Sequence, residues 1–233
     1  HVPYGARSEE EVRDFAVEIT RFLVAHGAGL IVVACNSASA AALMHLRAAF
    51  PTVPFVGMEP AVKPAAATTR SGVVGVLATP VTFQGKLYAS VVERFAQGIT
   101  ILQDTCPGLV AEIEAGNLTG SRARTILEHA LQPMLAQGAD TIVMGCTHYP
   151  FVIPLIQSIV GPDVQVIDPA PAVARQTQRL LEARGWVSPG PQPGSVQLFT
   201  TGPREQMVGT LPRLIEEEYH VQVALWHYGK LAG

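Results

Sequence analysis

Ile31-Val32-Val33-Ala34-Cys35-Asn36-Ser37 is an apolar, β-branched run that stops at a cysteine and turns polar at once. A run this short and this apolar has the pattern of a strand buried on both faces. Leu30 to Ala34 is read as that strand, with Cys35 at its C-terminal end. Ser37 or Ser39 is placed to cap the Ala-rich helix that follows toward Phe50. Upstream, Ser8 and Glu11 form a capping-box pair. Val12, Phe15, Ala16, Ile19, Phe22 and Leu23 then make one apolar helical stripe, which Gly27 and Gly29 end.

The same grammar repeats downstream. Val53–Gly57, Val73–Leu77, Ile99–Gln103, Thr141–Gly145 and Val164–Ile167 read as short strands. Helices are expected over Pro60–Thr69, Phe83–Phe95, Arg122–Leu135, Phe151–Val160 and Pro171–Ala183. Alternation of this kind predicts an α/β fold with mainly parallel sheets flanked by helices. The Pro/Gly-rich stretch Ser188–Gly194 reads as a loop or linker. A strand at Val196–Thr200, a helix at Gln206–Glu218 and a last strand at Val221–Leu225 complete the reading.

Composition narrows the function classes. The 233 residues are 48% apolar and 15% charged, with a net charge of -3. This is a globular balance with enough chain for one large domain or two smaller ones. Basic residues are scattered, so no nucleic-acid footprint is expected. No apolar run reaches membrane-spanning length, and the acidic residues from Glu9 to Glu11 do not suit a signal peptide. Three widely spaced cysteines do not read as a disulfide framework, and the expected setting is a reducing cytoplasm.

Thr141-Ile142-Val143-Met144-Gly145-Cys146-Thr147-His148 echoes the opening stretch: an apolar strand, a cysteine, then polar residues. The echo suggests two α/β units with matching active ends. In parallel α/β folds ligands bind beyond the carboxyl ends of the strands, where free helix N–H groups favour anions and thiolates. A single cysteine there reads most simply as core. A pair with matching polar flanks points to chemistry. Asn36, Ser37 and Thr147 would supply polar groups for carboxylates, and His148 a nearby base. Cys106, before Pro107, lacks such flanks and is read as structural.

No metal-ligand spacing is visible, no nicotinamide fingerprint is present, and none of the lysines (Lys63, Lys86, Lys230) sits beside a phosphate loop suited to pyridoxal phosphate. Neither cofactor nor metal is therefore expected.

Pro3-Tyr4-Gly5, Ala34-Cys35-Asn36-Ser37 and Gly145-Cys146-Thr147-His148-Tyr149-Pro150, in that order, resemble the aspartate/glutamate racemase superfamily, and specifically the glutamate racemases. Glu59-Pro60, Ala78-Thr79 with Thr82 and Tyr88, Cys106-Pro107 with Glu114, Ile167-Asp168 and Thr201-Gly202 add to the likeness. His148, where aspartate racemases usually carry glutamate, favours glutamate as substrate.

The resemblance implies two pseudo-symmetric α/β domains with the active site in the cleft between them. Residues 1–58 plus 168–233 would form the first domain and residues 59–167 the second. It also implies that Cys35 and Cys146 are the two proton donors and acceptors, with His148 assisting Cys146. Tyr4, Gly5, Asn36, Ser37, Thr147 and His148 would bind substrate, and Glu114 would be a further polar neighbour. The implied product is D-glutamate for peptidoglycan, and the implied assembly a homodimer.

Two departures stand out. Ser37 replaces the family's usual threonine. The family's opening strand and glycine-rich turn, with its Asp-Ser pair, would lie before His1. Racemisation of aspartate or another small acid, and binding of a dicarboxylate without turnover, remain alternatives. A thiol-redox role is a more distant one.

Overall fold

The computed structural model describes residue 4, residues 7–188, residue 190, residues 194–215 and residues 219–232. Its first half runs α1 (Glu9–Ala25), β1 (Ile31–Val32), α2 (Asn36–Ala49), β2 (Phe55–Val56), α3 (Val62–Thr68), β3 (Val73–Leu77), α4 (Pro80–Gln84), α5 (Lys86–Phe95) and β4 (Thr100–Asp104). It continues with α6 (Leu109–Glu114), α7 (Ser121–Ala136), β5 (Thr141–Met144), a 3-10 turn (Tyr149–Val152), α8 (Ile153–Val160), β6 (Gln165–Ile167) and α9 (Ala170–Ala183). Then come β7 (Leu198–Thr200), α10 (Arg204–Leu214), β8 (Val221–Val223), β9 (Leu225–His227) and β10 (Lys230–Ala232).

The central sheet is four-stranded, in the order β4-β3-β5-β6, and parallel throughout. Side chains on a strand alternate between faces, and here each face meets its own helices. Leu77, Ile142 and Met144 join the cores of α6, α7 and α8 on one side. Val74, Val76 and Val143 join Val62 and Ala65 of α3 and Tyr88 and Val91 of α5 on the other. Both faces are dry, which is why these strands read as unbroken apolar runs.

A second group of elements surrounds α1 and α2. The β1–β2 and β7–β8 pairs are parallel. Ile31, Ala42, Leu43, Leu46 and Phe55 form a core cluster here. The C-terminal segment returns to this group: Phe199 of β7 stacks edge-on against Phe22 at 5.0 Å and His26 at 5.2 Å, and Trp226 against Phe15 at 5.6 Å. The capping box at α1 forms as the sequence predicts. Ser8 Oγ accepts from the Glu11 N–H at 3.2 Å, and the Glu11 carboxylate accepts from the Ser8 N–H at 2.9 Å.

Several elements differ from the sequence expectation. The helix expected over Phe83–Phe95 is two, broken at Gly85, where α2 comes so close that a Cβ would meet the Ala40 Cβ at 2.9 Å. Neither Ser37 nor Ser39 caps α2; Cys35 occupies the cap, its sulfur accepting from the Ala38 N–H at 3.5 Å. The last helix ends at Leu214, with Ile215 extended, and Glu216–Glu218 lie outside the described residues. A short helix, α6, follows Gly108 unannounced. The expected last strand is β8 plus an antiparallel hairpin, β9–β10, turning through Tyr228 (φ 47) and Gly229 (φ 78). Tyr-Gly is a weak turn signal beside Asn-Gly, so the hairpin is hard to see in advance.

Gly145 ends β5 at a close backbone approach. A Cβ there would meet the Ala78 Cβ at 2.7 Å and the Leu77 carbonyl oxygen at 3.0 Å, and its N–H already donates to that carbonyl at 2.7 Å. The obstacle is partly backbone and cannot swing aside. Gly145→Ala should therefore destabilise the fold by about 1–3 kcal/mol, the usual penalty for overpacking, measured by urea unfolding.

Asp140 pins the other end of β5. Its carboxylate accepts from Thr69 Oγ1 (2.6 Å), the N–H groups of Arg70 (2.7 Å) and Ser71 (2.8 Å), and Thr141 Oγ1 (3.0 Å). Burial raises its pKa, but these donors outweigh that and hold it well below the usual carboxylate range. Its stabilising effect is thus complete above the ordinary aspartate value and fades as pH falls through the lowered one. Asp140→Asn should flatten the acid side of the stability profile, read from melting temperature against pH.

Candidate active site

Both cysteines of the repeated motif sit where a parallel strand hands over to a helical turn. Cys35 follows β1 and caps α2. Cys146 follows β5 and precedes the 3-10 turn. One cavity of about 400 Å³ is lined by both, together with Tyr4, Asn36, Ser37, Thr147 and His148. Seven candidates from three separated stretches of chain thus line one cavity. Gly5 lies outside the described residues. Glu114 does not line the cavity; it stands behind His148.

The environment of the two sulfurs is dry. Burial raises the Cys35 pKa, against the N–H groups of Ala38 and Ser37 and the Ser37 hydroxyl, which lower it. Burial pushes Cys146 up to about 11, opposed by the N–H groups of His148 and Tyr149; a negative charge on Cys35 raises it further. Each sulfur therefore faces helix-type donors ready for a thiolate, in a site that keeps it a thiol at rest. The mutual effect also means that ionising one opposes ionising the other.

His148 links Cys146 to a carboxylate. Its Nδ1 lies 3.7 Å from the Cys146 sulfur, and its Nε2 lies 2.6 Å from Glu114 Oε1. With Nε2–H donating to Glu114, the Nδ1 lone pair faces the sulfur. That arrangement suits a base that takes the thiol proton. Cys35 has no imidazole among its described partners; its support is the start of α2.

Asn36 is 2% exposed, and both its amide nitrogen and its amide oxygen lack a hydrogen-bond partner among the described residues. Leaving such groups dry and unpaired is expensive. Because Asn36 lines the cavity, a polar ligand there would relieve it.

The cavity wall also holds residues that sequence reasoning did not select. Thr79 and Pro80 come from the end of β3, and Thr105, Cys106, Pro107 and Gly108 from the loop after β4. Cys106, read as structural, is 2% exposed yet lies on the cavity wall with a left-handed backbone (φ 44). Its N–H donates to Asp104 Oδ1 at 2.7 Å, and the Tyr149 hydroxyl donates to the Thr105 carbonyl at 3.1 Å, so this loop is tied down on both sides. No sequence pattern announces a left-handed cysteine; the signals for the loops after β3 and β4 are the strand-end rule and the family likeness at Ala78-Thr79 and Cys106-Pro107.

Alkylation reports the state of the sulfurs. Iodoacetamide labelling of Cys146 in the ligand-free protein, followed by peptide mapping, should be slow at neutral pH and accelerate toward about 11. A plateau already reached near neutral pH would contradict the dry-site picture. Because the folded-state value lies above the ordinary 9.0, Cys146 also favours the fold below that value, and this contribution is lost as pH rises toward about 11.

Comparisons with known proteins identify the family and the fold. Residues 1–177 match the family model described as Asp/Glu/Hydantoin racemase. The chain is 47% identical to a glutamate racemase of Roseiflexus over 213 residues, covering 91% of this chain and 78% of the relative. A crystal structure of a glutamate racemase from Bacillus anthracis superposes with a TM-score of 0.83 at 29% identity, covering 99% of this chain and 85% of that one. The Escherichia coli glutamate racemase, solved with L-glutamate and the activator UDP-MurNAc-ala, gives a TM-score of 0.81 at 30% identity, covering 100% and 85%. No described helix is long and apolar enough to cross a membrane. The chain belongs to the Asp/Glu/Hydantoin racemase family, among whose members its relatives are glutamate racemases, enzymes of the isomerase class.

Proposed function

We propose that this chain racemises glutamate without a cofactor, using Cys35 and Cys146 as two bases on opposite sides of the substrate α-carbon. The observation that carries the reading is the shared cavity: two sulfurs on separate β–α units line one space, each within reach of backbone N–H groups that lower its pKa. A space of about 400 Å³ falls within the range of small-molecule sites.

The α-proton of an amino acid is far less acidic than a thiol, so its removal needs strong stabilisation of the carbanionic transition state. Preorganised donors in a water-poor cleft supply that. Asn36, Ser37 and Thr147 are the polar groups at hand, and the unpaired amide of Asn36 is matched to an amino acid with both donors and acceptors. Tyr4 contributes a further hydroxyl to the wall. The ammonium group of an arriving substrate also brings positive charge to two raised thiols, favouring ionisation of one. His148, held by Glu114, takes the Cys146 proton. The Cys146 thiolate removes the α-proton of L-glutamate, and the Cys35 thiol delivers its own proton to the opposite face. The reverse assignment of roles serves D-glutamate.

The same reading includes the coarser organisation. Residues 1–58 plus 168–233 and residues 59–167 form two domains facing across the cleft. The return of Phe199 and Trp226 to α1 supports that division. We place the enzyme in the cytoplasm as a homodimer supplying D-glutamate for peptidoglycan, as the family resemblance implies.

Incubation with L- or D-glutamate in D2O should place deuterium at Cα of the product with no added cofactor. Cys35→Ala and Cys146→Ala should each abolish racemisation; full activity in either would end the two-base scheme. Glu114→Gln should slow the direction in which Cys146 takes the proton by about tenfold or more, while leaving the fold intact by circular dichroism. Binding of glutamate without exchange at Cα would instead favour a non-catalytic member.

A further inference from the structure

Glu114 holds a position that its own side chain does not secure. Its carboxylate meets His148 Nε2 at 2.6 Å, yet the Glu114 side chain is 44% exposed. An exposed carboxylate loses rotamer entropy in any fixed contact and gains little from it in water. Glu114 is also the last residue of α6, a helix of six residues. An isolated helix of that length does not persist in water, because its nucleus is costly and few hydrogen bonds offset it. Where Glu114 points is therefore set by whatever holds α6.

Three contacts hold it. Leu109 and Ile113, one turn apart, are fully buried in a cluster with Tyr149 and Val152, so one face of α6 packs on the 3-10 turn after Cys146. At the start of the helix, Cys106 and Gly108 (φ 88) turn the chain, and this loop is fastened by the Cys106 N–H on Asp104 and by the Tyr149 hydroxyl on the Thr105 carbonyl. At its end, the Glu112 carboxylate accepts from Asn117 Nδ2 at 3.2 Å and pairs with Arg122 Nε at 3.2 Å. That ties α6 to the loop ahead of α7 and to the first turn of α7.

The Tyr149 bond closes a circuit. Tyr149 directly follows His148, so the stretch from Thr105 to Glu114 is joined to the same few residues at both ends. A buried tyrosine needs no hydroxyl for packing, and burying one costs free energy unless it is bonded. Burial, with Cys106, Cys146 and Asp104 nearby, raises the Tyr149 pKa, so the hydroxyl keeps its proton and remains a donor.

We propose that Tyr149 and Glu112 are positioning residues: the Tyr149 hydroxyl fixes the start of α6 and the Glu112 carboxylate its end, so that Glu114 stays against His148 and the imidazole is held beside Cys146 before substrate arrives. This rests on the reading of Cys146 as a proton-transferring thiol assisted by His148. It adds to that reading the two groups that assemble the assisting pair.

Two measurements test it, and one needs no turnover. In nitrogen-labelled protein, the His148 Nε2 proton shared with Glu114 should give a downfield imidazole signal, assigned by its loss in His148→Gln. Tyr149→Phe and Glu112→Ala should each shift or broaden that signal, although neither side chain hydrogen-bonds to the imidazole. In the kinetic arm, Tyr149→Phe should lower kcat for L-glutamate by about tenfold, the scale expected when a general base is slightly misplaced. KM should change by no more than about twofold, since no ground-state contact to substrate is removed.

α-Deuterated substrates tell which half of the reaction is slowed. The isotope effect on kcat/KM should rise for L-glutamate, where Cys146 removes the deuteron. It should fall for D-glutamate, where Cys35 removes it and the slowed step is reprotonation by Cys146. Loss of folded protein lowers rates without moving either isotope effect. In a Glu114→Gln background, Tyr149→Phe should lower kcat no further, because it acts through Glu114.

An unshifted imidazole signal, isotope effects equal to those of the wild type, or full additivity with Glu114→Gln would overturn the proposal. Thermal melts accompany each variant, and Glu112→Ala carries the same measurements if Tyr149→Phe does not fold. Should the wild-type chain fail to racemise glutamate, the proposed function fails, while the imidazole signal alone still decides the positioning roles.

Discussion

The site depends on the junction at which a buried parallel strand ends and a helical turn begins. Backbone N–H groups at that junction have no partner within the helix, and they converge on whatever side chain stands there. A thiol in that position is pulled toward thiolate by those donors and held back by its dry surroundings. Cys35 and Cys146 both occupy such junctions, and both are shifted upward because burial prevails over the donors. A group balanced in this way can be moved by a modest change in nearby charge. In the proposed reaction the substrate ammonium is such a change.

The two junctions are alike in topology but differ in what assists them. Cys146 has an imidazole at 3.7 Å, itself tied to Glu114. Cys35 has the start of α2 and the Ser37 hydroxyl. The pseudo-symmetry suggested by the repeated motif is therefore one of backbone, not of proton relay. The surrounding architecture serves these two points. The four-stranded sheet, dry on both faces, fixes the end of β5, and Gly145 lets that end lie against Leu77 without a side chain between. The loop at Cys106, with its left-handed backbone, lines the same cavity and is held by Asp104 and Tyr149.

Much of the fold was legible in the sequence because the physics behind it is local. Strands buried on both faces are apolar nearly throughout; Val73–Leu77 reads and folds that way, and the strand read at Thr141–Gly145 folds over Thr141–Met144. The capping box at Ser8 and Glu11 is likewise a matter of a few adjacent residues. What was missed depends on distant neighbours. The break at Gly85 exists because α2 passes there. The hairpin at Tyr228-Gly229 forms through a turn whose residues signal it weakly. The cap of α2 is a sulfur, a poor hydrogen-bond acceptor beside the serine hydroxyls that competed for the role on paper.

The sequence by itself determined the alternation of strand and helix, the two cysteine motifs and their polar flanks, because periodicity and residue chemistry are written in order along the chain. The tertiary structure alone decided that those motifs share a cavity and that Glu114 stands behind His148. It alone brought the Tyr149 hydroxyl to the Thr105 carbonyl, and it put Cys106 on the wall. The reason is that such contacts join residues tens of positions apart, and their distances are set by sheet register and helix packing. Nothing in the linear order of side chains encodes either one.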